Sequence, residues 1–230
     1  MPVLPIVRMG DPVLRAPAEP VAPERLADPA FQRFIDDMAE TMRDADGVGL
    51  AAPQVGEALQ LFVYEVGGSE DPDGSEDPDG SDDSEASEDS DDAIDSDEPT
   101  ESEGPETVEP SAASERDELV IPLQVVVNPM LEPEGGELVY DWEGCLSIPD
   151  LRGLVPRHPA VRVRGLDRHG QPLDYVARGF EARIIQHEFD HLNGVLFLDR
   201  MRDLKSLAFY DEWEAHLRGA ADDPNALRPE

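Results

Sequence analysis

The chain has 230 residues, with 18 Lys and Arg against 53 Asp and Glu, and a formal net charge of −35 at pH 7. Binding nucleic acid through its phosphates needs a basic face, so this balance argues against that class of partner. The one cysteine, Cys145, excludes an intramolecular disulfide, and no run of 18 apolar residues is present to span a bilayer. The expected setting is therefore a reducing cytoplasm.

The charge is unevenly spread. Residues 68–118 hold 23 acidic side chains and a single arginine, Arg116, which leaves 30 acidic and 17 basic residues for the rest. Lys205 is the only lysine, a compositional bias rather than a motif. The length suits one domain with a substantial core.

Taken in order, Leu4-Pro5-Ile6-Val7 is a short apolar start ahead of a turn at Gly10-Asp11-Pro12, with prolines where a signal peptide would carry its apolar core. Asp28-Pro29 is an N-cap followed by a first-turn proline, and Phe31, Phe34, Ile35, Met38 and Met42 recur at helical spacing until Asp46-Gly47. Gly47–Gly56, GVGLAAPQVG, is so rich in small residues that backbone must pass close to another strand or to a ligand; by itself it reads as a helix-to-strand loop. Leu61–Val66 then reads as a strand.

Gly68–Glu118 is different material. SEDPDG occurs twice, at Ser69–Gly74 and Ser75–Gly80, and Ile94 and Val108 are the only clearly apolar residues. Such a segment cannot bury enough apolar surface to offset the entropy of ordering, so a disordered acidic insertion is expected between 1–67 and 119–230, which form the folded domain.

Pro122–Asn128 reads as a buried strand closed by Asn128-Pro129, and Leu138–Tyr140 as a short one before EGCLSIP at Glu143–Pro149. Val161–Leu166 is a half-exposed strand, turned at Asp167–Gly170 into Pro172–Ala177. Gly179 leads into a helix whose apolar side is Ala182, Ile184, Ile185, Phe189 and Leu192, stopped by Asn193-Gly194. Leu204–Leu217 has the period of a terminal helix, and Ala221–Glu230 is expected to fray.

Within that central helix stands QHEFDHLN. His187 and His191, four residues apart, project from one face and can share a metal ion, while Glu188 can reach a water on that ion without ligating it. The bland alternative is an amphipathic helix with two unconnected histidines. A lone cysteine is usually a small buried hydrophobe. Beside a two-histidine half-site, however, Cys145 completes a three-ligand set with a fourth position open, the layout of a catalytic centre.

GVGLAAPQVG, EGCLSIP and QHEFDHLNG, each intact and in this order, resemble the three signature motifs of the peptide deformylases. The similarity continues through GDPVLR, LRGLVPR and ARIIQHE, and leaves out only the acidic insertion and the last residues. It implies an α+β fold in which antiparallel strands pack around a central metal-binding helix, with a terminal helix. The implied activity is removal of the formyl group from the N-terminal formyl-methionine of nascent polypeptides. The implied cofactor is a divalent ion on Cys145, His187 and His191, iron(II) in many members and zinc, nickel or cobalt in others.

The same resemblance makes Glu188 the general base and gives the oxyanion to the Gln54 amide and the Leu146 backbone N–H. Gly49 would let the substrate backbone approach, and Val48, Ile184 and His187 would line the methionine pocket. The implied partners are the nascent chain and the ribosome from which it emerges. Glu143 and Arg157 are expected to form a buried pair behind the Cys145 loop, and His158, His169 and His216 to lie at the surface. Two competing readings are a zincin-type metalloprotease, which leaves Cys145 and Gln54 without roles, and an inactive scaffold with an acidic interaction segment, against which intact Glu188 and Gln54 speak.

Overall fold

A computed structural model describes residues 3–67 and 119–218. In chain order the elements are α1 (Pro29–Asp44), β1 (Gly49–Ala51), β2 (Leu61–Val66), β3 (Ile121–Glu134), β4 (Val139–Cys145), β5 (Ile148–Arg157), β6 (Ala160–Leu166), β7 (Pro172–Arg178), α2 (Gly179–Leu192), the single turn α3 (Phe197–Arg200), β8 (Ala208–Phe209) and α4 (Tyr210–His216). Five strands form one antiparallel sheet in the order β1-β2-β3-β6-β7, and β4-β5-β8 form a second. The fold is α+β, as expected.

The strand alternation of two sorts the core. Leu61 and Val63 of β2, with Val125 and Val127 of β3, face the Phe31, Ile35, Met38 and Met42 side of α1. Their neighbours Phe62, Tyr64 and Val126 face Ala182, Ile184, Ile185 and Leu192 of α2. A sheet covered on both faces needs apolar residues at successive positions, which is why LFVY is buried without interruption.

α1 starts where the capping signal places it: the Asp28 carboxylate accepts the Ala30 N–H at 2.8 Å, with Pro29 in the first turn. Gly179 enters α2 at a φ of 55°, a conformation that suits glycine, and donates its N–H to the Pro159 carbonyl at 2.9 Å.

Three expectations need correction, and two fall outside the described residues. Asn128-Pro129 does not close its strand; β3 runs on to Glu134 through a register shift between Val127 and Met130. Asn128 sits at a φ of 51°, and its side chain both accepts from the Val21 N–H at 2.8 Å and donates to the Val21 carbonyl at 2.9 Å, so a bulge is held open by a distant segment. The short strand at Leu138–Tyr140 is the beginning of β4, which pairs with the unforeseen β5 and reaches the turn at Leu146-Ser147. The terminal helix is shorter than Leu204–Leu217, because Ala208 and Phe209 pair with Arg152 and Leu151 of β5 and only Tyr210–His216 is helical. The expected disorder of 68–118 and fraying of 221–230 fall outside the described residues.

Candidate metal centre

α2 carries His187 and His191 one turn apart, with ring centroids 5.1 Å from each other. β4 ends on Cys145, whose Sγ lies 3.3 Å from His191 Nε2. One ligand-type atom from each of the three residues falls within 4.8 Å of the others. A tetrahedral ion with N and S ligands separates its donors by roughly 3.3–3.8 Å, so the set suits one ion after a small closure.

The surrounding groups aim the ligands. His187 Nδ1 meets Glu143 Oε2 at 2.9 Å, which leaves Nε2 to face the site. Glu143 in turn takes a two-pronged bond from Arg157, at 2.8 and 2.9 Å, and a third from Arg183 at 2.7 Å. The expected Glu143–Arg157 pair is therefore present, each side chain 5 % exposed. Arg157 also reaches Asp190 at 2.5 Å, and Asp190 accepts from Arg200 at 2.9 and 2.6 Å, so the chain of charges continues to the surface.

These neighbours fix the titration of the site. Burial alone would raise the Glu143 carboxyl, but Arg157 and then His187 outweigh it and hold it well below the usual carboxylate range. Burial would lower His187, yet its bonds to Cys145 and Glu143 push it well above its ordinary value. His191 is driven the other way, by burial first and by His187 second. Its Nδ1 has no hydrogen-bond partner among the described residues.

Glu188 is buried next to these groups, and burial raises its carboxyl to about 7. It presses on β1 so closely that a Cβ on Gly49 would collide with Oε1. Gln54 stands in the short turn after β1. Its Oε1 accepts the Ala51 N–H at 2.8 Å, which turns Nε2 toward Cys145 Sγ, 3.6 Å away.

Val48, Gly49, Gln54, Cys145, Leu146, Ile184, His187 and Glu188 all line one cleft of about 470 Å³, and His191 lies buried beside Cys145. The same cleft has lining residues that the motifs do not announce: Trp142, Arg152, Phe180 and Trp213. An apolar residue in a strand or tail carries no local mark of the wall it will join. His169 and His216 are exposed and His158 is half-buried, and none belongs to the ligand cluster.

A metal ion held by such a set would make water a nucleophile against a carbonyl at neutral pH, the chemistry of a metal-dependent hydrolase. The polypeptide deformylase family profile matches residues 3–207. Peptide deformylase 2 of Bordetella bronchiseptica is 39 % identical over 204 residues, covering 89 % of this chain and 90 % of its own. Peptide deformylase 1 of Streptomyces coelicolor is 40 % identical over 205 residues, covering 89 % and 76 %. Among solved structures, the Met-Ala-Ser-bound class I type b peptide deformylase of Acinetobacter baumannii aligns with a TM-score of 0.63 at 30 % identity, covering 87 % of this chain and 99 % of that one. The actinonin complex of the Synechococcus elongatus enzyme aligns at 0.61 with 33 % identity, covering 100 % and 92 %.

The chain belongs to the polypeptide deformylase family. It is a metal-dependent enzyme that removes the formyl group from N-terminal formyl-methionine, and the protease and inactive-scaffold readings find no support in these comparisons.

Proposed function

We propose that Cys145, His187 and His191 hold one divalent ion, iron(II) in the cell with zinc, nickel or cobalt able to replace it, and that Glu188, Gln54 and Leu146 carry out the proton transfer and charge stabilisation. The observation behind this is the meeting of one thiol and two imidazoles at the edge of a cleft, with a buried carboxyl alongside. A thiolate with two imidazoles suits all four ions, so the preference for iron rests on family resemblance. When bound, the ion supplies Lewis acidity and water activated at neutral pH.

Glu188 accepts the proton of the attacking water and returns it to the departing α-amine, a role worth about 10²- to 10⁴-fold. Its Oε2 has no partner among the described residues, which leaves it free for this task. The Gln54 amide, oriented by Ala51, donates to the developing oxyanion with the Leu146 N–H as second donor; losing one such donor costs about 3 kcal/mol. β1 is an edge strand, so an incoming peptide can pair beside Gly49 as an added strand and be held without its sequence being read. Val48, Ile184 and His187 form the methionine pocket. A related enzyme crystallised with Met-Ala-Ser supports a short unmodified N-terminus as the product.

The substrate is a nascent chain in the cytoplasm, met at the ribosome. Among the described residues no helix is long and apolar enough to cross a membrane. Residues 1–67 and 119–230 form the catalytic domain and 68–118 is an insertion into it, a division supported by the pairing of Val66 with Ile121. Formate release from formyl-Met-Ala-Ser tests the whole. A chelator should abolish it and iron(II) under anaerobic conditions should restore it more fully than zinc. Restoration by zinc alone would remove the iron assignment, and cleavage of internal peptide bonds without formate release would favour a protease.

A further inference from the structure

A second cavity of about 470 Å³ lies where the first residues of β4 and α2 meet the turn between β5 and β6. Of its lining residues only Phe180 and Arg183 also line the catalytic cleft. Leu119, Val139, Pro159 and Phe180 give it apolar wall. Arg157, Arg178 and Arg183 bring three guanidinium groups, against Asp141 as the only acid among the lining residues. In a chain with 53 acidic residues and 18 basic ones, that lining reverses the overall balance.

The three arginines are not equivalent. Arg157 is held by Glu143 and Asp190, and Arg183 by Glu143 with Asp141 farther off, so these two contribute positive field more than free donors. Burial, aided by the neighbouring Arg157, still lowers the Arg183 pKa in spite of Glu143, so its charge is incompletely answered. Arg178 is exposed and His158 half-buried, and among the described residues neither side chain makes a hydrogen bond or an ion pair.

The frame around these groups is fixed. The Gln186 side chain accepts the His158 N–H at 3.0 Å and donates to the His158 carbonyl at 2.9 Å. The Gly179 N–H bonds the Pro159 carbonyl, and Arg178 pairs with Ala160 across β6 and β7. A preformed cavity of several hundred cubic ångströms, with apolar wall and a few placed polar groups, has the form of a small-molecule site.

We propose that this cavity binds an organic carboxylate, with its apolar body on Val139, Pro159 and Phe180 and its charged end at Arg178 and His158. An inorganic anion would leave the apolar wall uncovered, and a neutral apolar molecule would leave the Arg178 guanidinium unanswered. One unengaged guanidinium matches one carboxylate in charge and in its forked geometry. The site is independent of the reaction in the cleft.

Calorimetric titration of the full-length, metal-loaded enzyme with octanoate, octanamide and inorganic phosphate tests this. Octanoate should bind about tenfold or more tightly than either of the others, the worth of one charge-assisted contact added to apolar burial. A chelator should leave its affinity unchanged. Arg178→Gln should weaken octanoate about tenfold and leave formate release as it was, while Arg178→Lys should keep the affinity within about threefold. Arg33→Gln removes the same charge from the exposed side of α1 and should change nothing. No octanoate binding at millimolar concentration, or octanamide binding as tightly, would overturn the proposal. So would loss of binding with the metal, which would place the carboxylate at the metal centre, or equal weakening by Arg178→Gln and Arg33→Gln, which would reduce the effect to net charge.

Discussion

Glu188 is a carboxyl that burial has made a poor anion and a good base, held up to about 7. Ionised, it can take a proton, so kcat/KM should climb with pH along an acid limb at or below neutrality, since a bound cation beside it pulls its pKa down. Glu188→Gln should lower kcat/KM by about 10²- to 10⁴-fold and abolish that limb. The sign for stability is opposite. With a folded-state pKa above the ordinary 4.5, ionising Glu188 works against the fold as pH rises past 4.5, so the metal-free Gln variant should melt higher than metal-free wild type at about pH 8 and level with it at about pH 4. Near-normal turnover by Glu188→Gln would remove it as the base.

Glu143 shows the reverse linkage. Arg157 and His187 hold its carboxyl far below the ordinary 4.5, so its stabilisation is fully present above that value and is lost as pH falls below it. Breaking a buried pair of this kind destabilises by about 3–5 kcal/mol, because Arg157 is left with Asp190 alone and Arg183 with only the more distant Asp141. Thermal melts of Glu143→Gln should therefore fall well short of wild type at neutral pH and approach it as the buffer is acidified below 4.5. A gap independent of pH would mean that packing, not charge, accounts for the loss.

At the scale of elements, β1 is a three-residue edge strand against which Glu188 packs, and on the proposed reading the substrate would pair along it. Gly49→Ala should displace the carboxyl and lower kcat about 10²-fold with the fold retained, checked by circular dichroism beside the formate assay. Turnover within a few-fold of wild type would show that the carboxyl yields without consequence. That Cys145, His187 and His191 come together was legible from sequence because the pattern is local: a four-residue histidine spacing on an amphipathic helix, and one cysteine in a Gly-containing turn. α1 was legible for the same reason, through Asp28, Pro29 and its apolar spacing. β5 was not, because Pro149, Gly153 and Pro156 each argue against a strand, and the pairing with β4 across the Leu146-Ser147 turn overrides them. The continuation of β3 depends on Val21, more than a hundred residues from Asn128, and the shortened tail helix on Arg152; neither contact leaves a trace in its own segment.

For the whole molecule the acidic segment should be dispensable to the folded domain. Of the 53 acidic residues, 23 lie within 68–118, and the strands on either side of that segment pair at Val66 and Ile121. Loop closure depends only logarithmically on length, so the domain loses little by carrying fifty residues there or a handful. Deleting Ser69–Glu115 should leave kcat and KM for formyl-Met-Ala-Ser largely unchanged. A large fall in turnover with the melting temperature intact would give the segment a part in the reaction.

α2 presents His187, Glu188 and His191 from the same turns that send Ala182, Ile185 and Leu192 into the hydrophobic interior. Chemistry and foundation therefore share a single rod. Adapting such an enzyme to other peptides would leave that rod alone and work at its periphery, where a change of taste does not unsettle the ground beneath it.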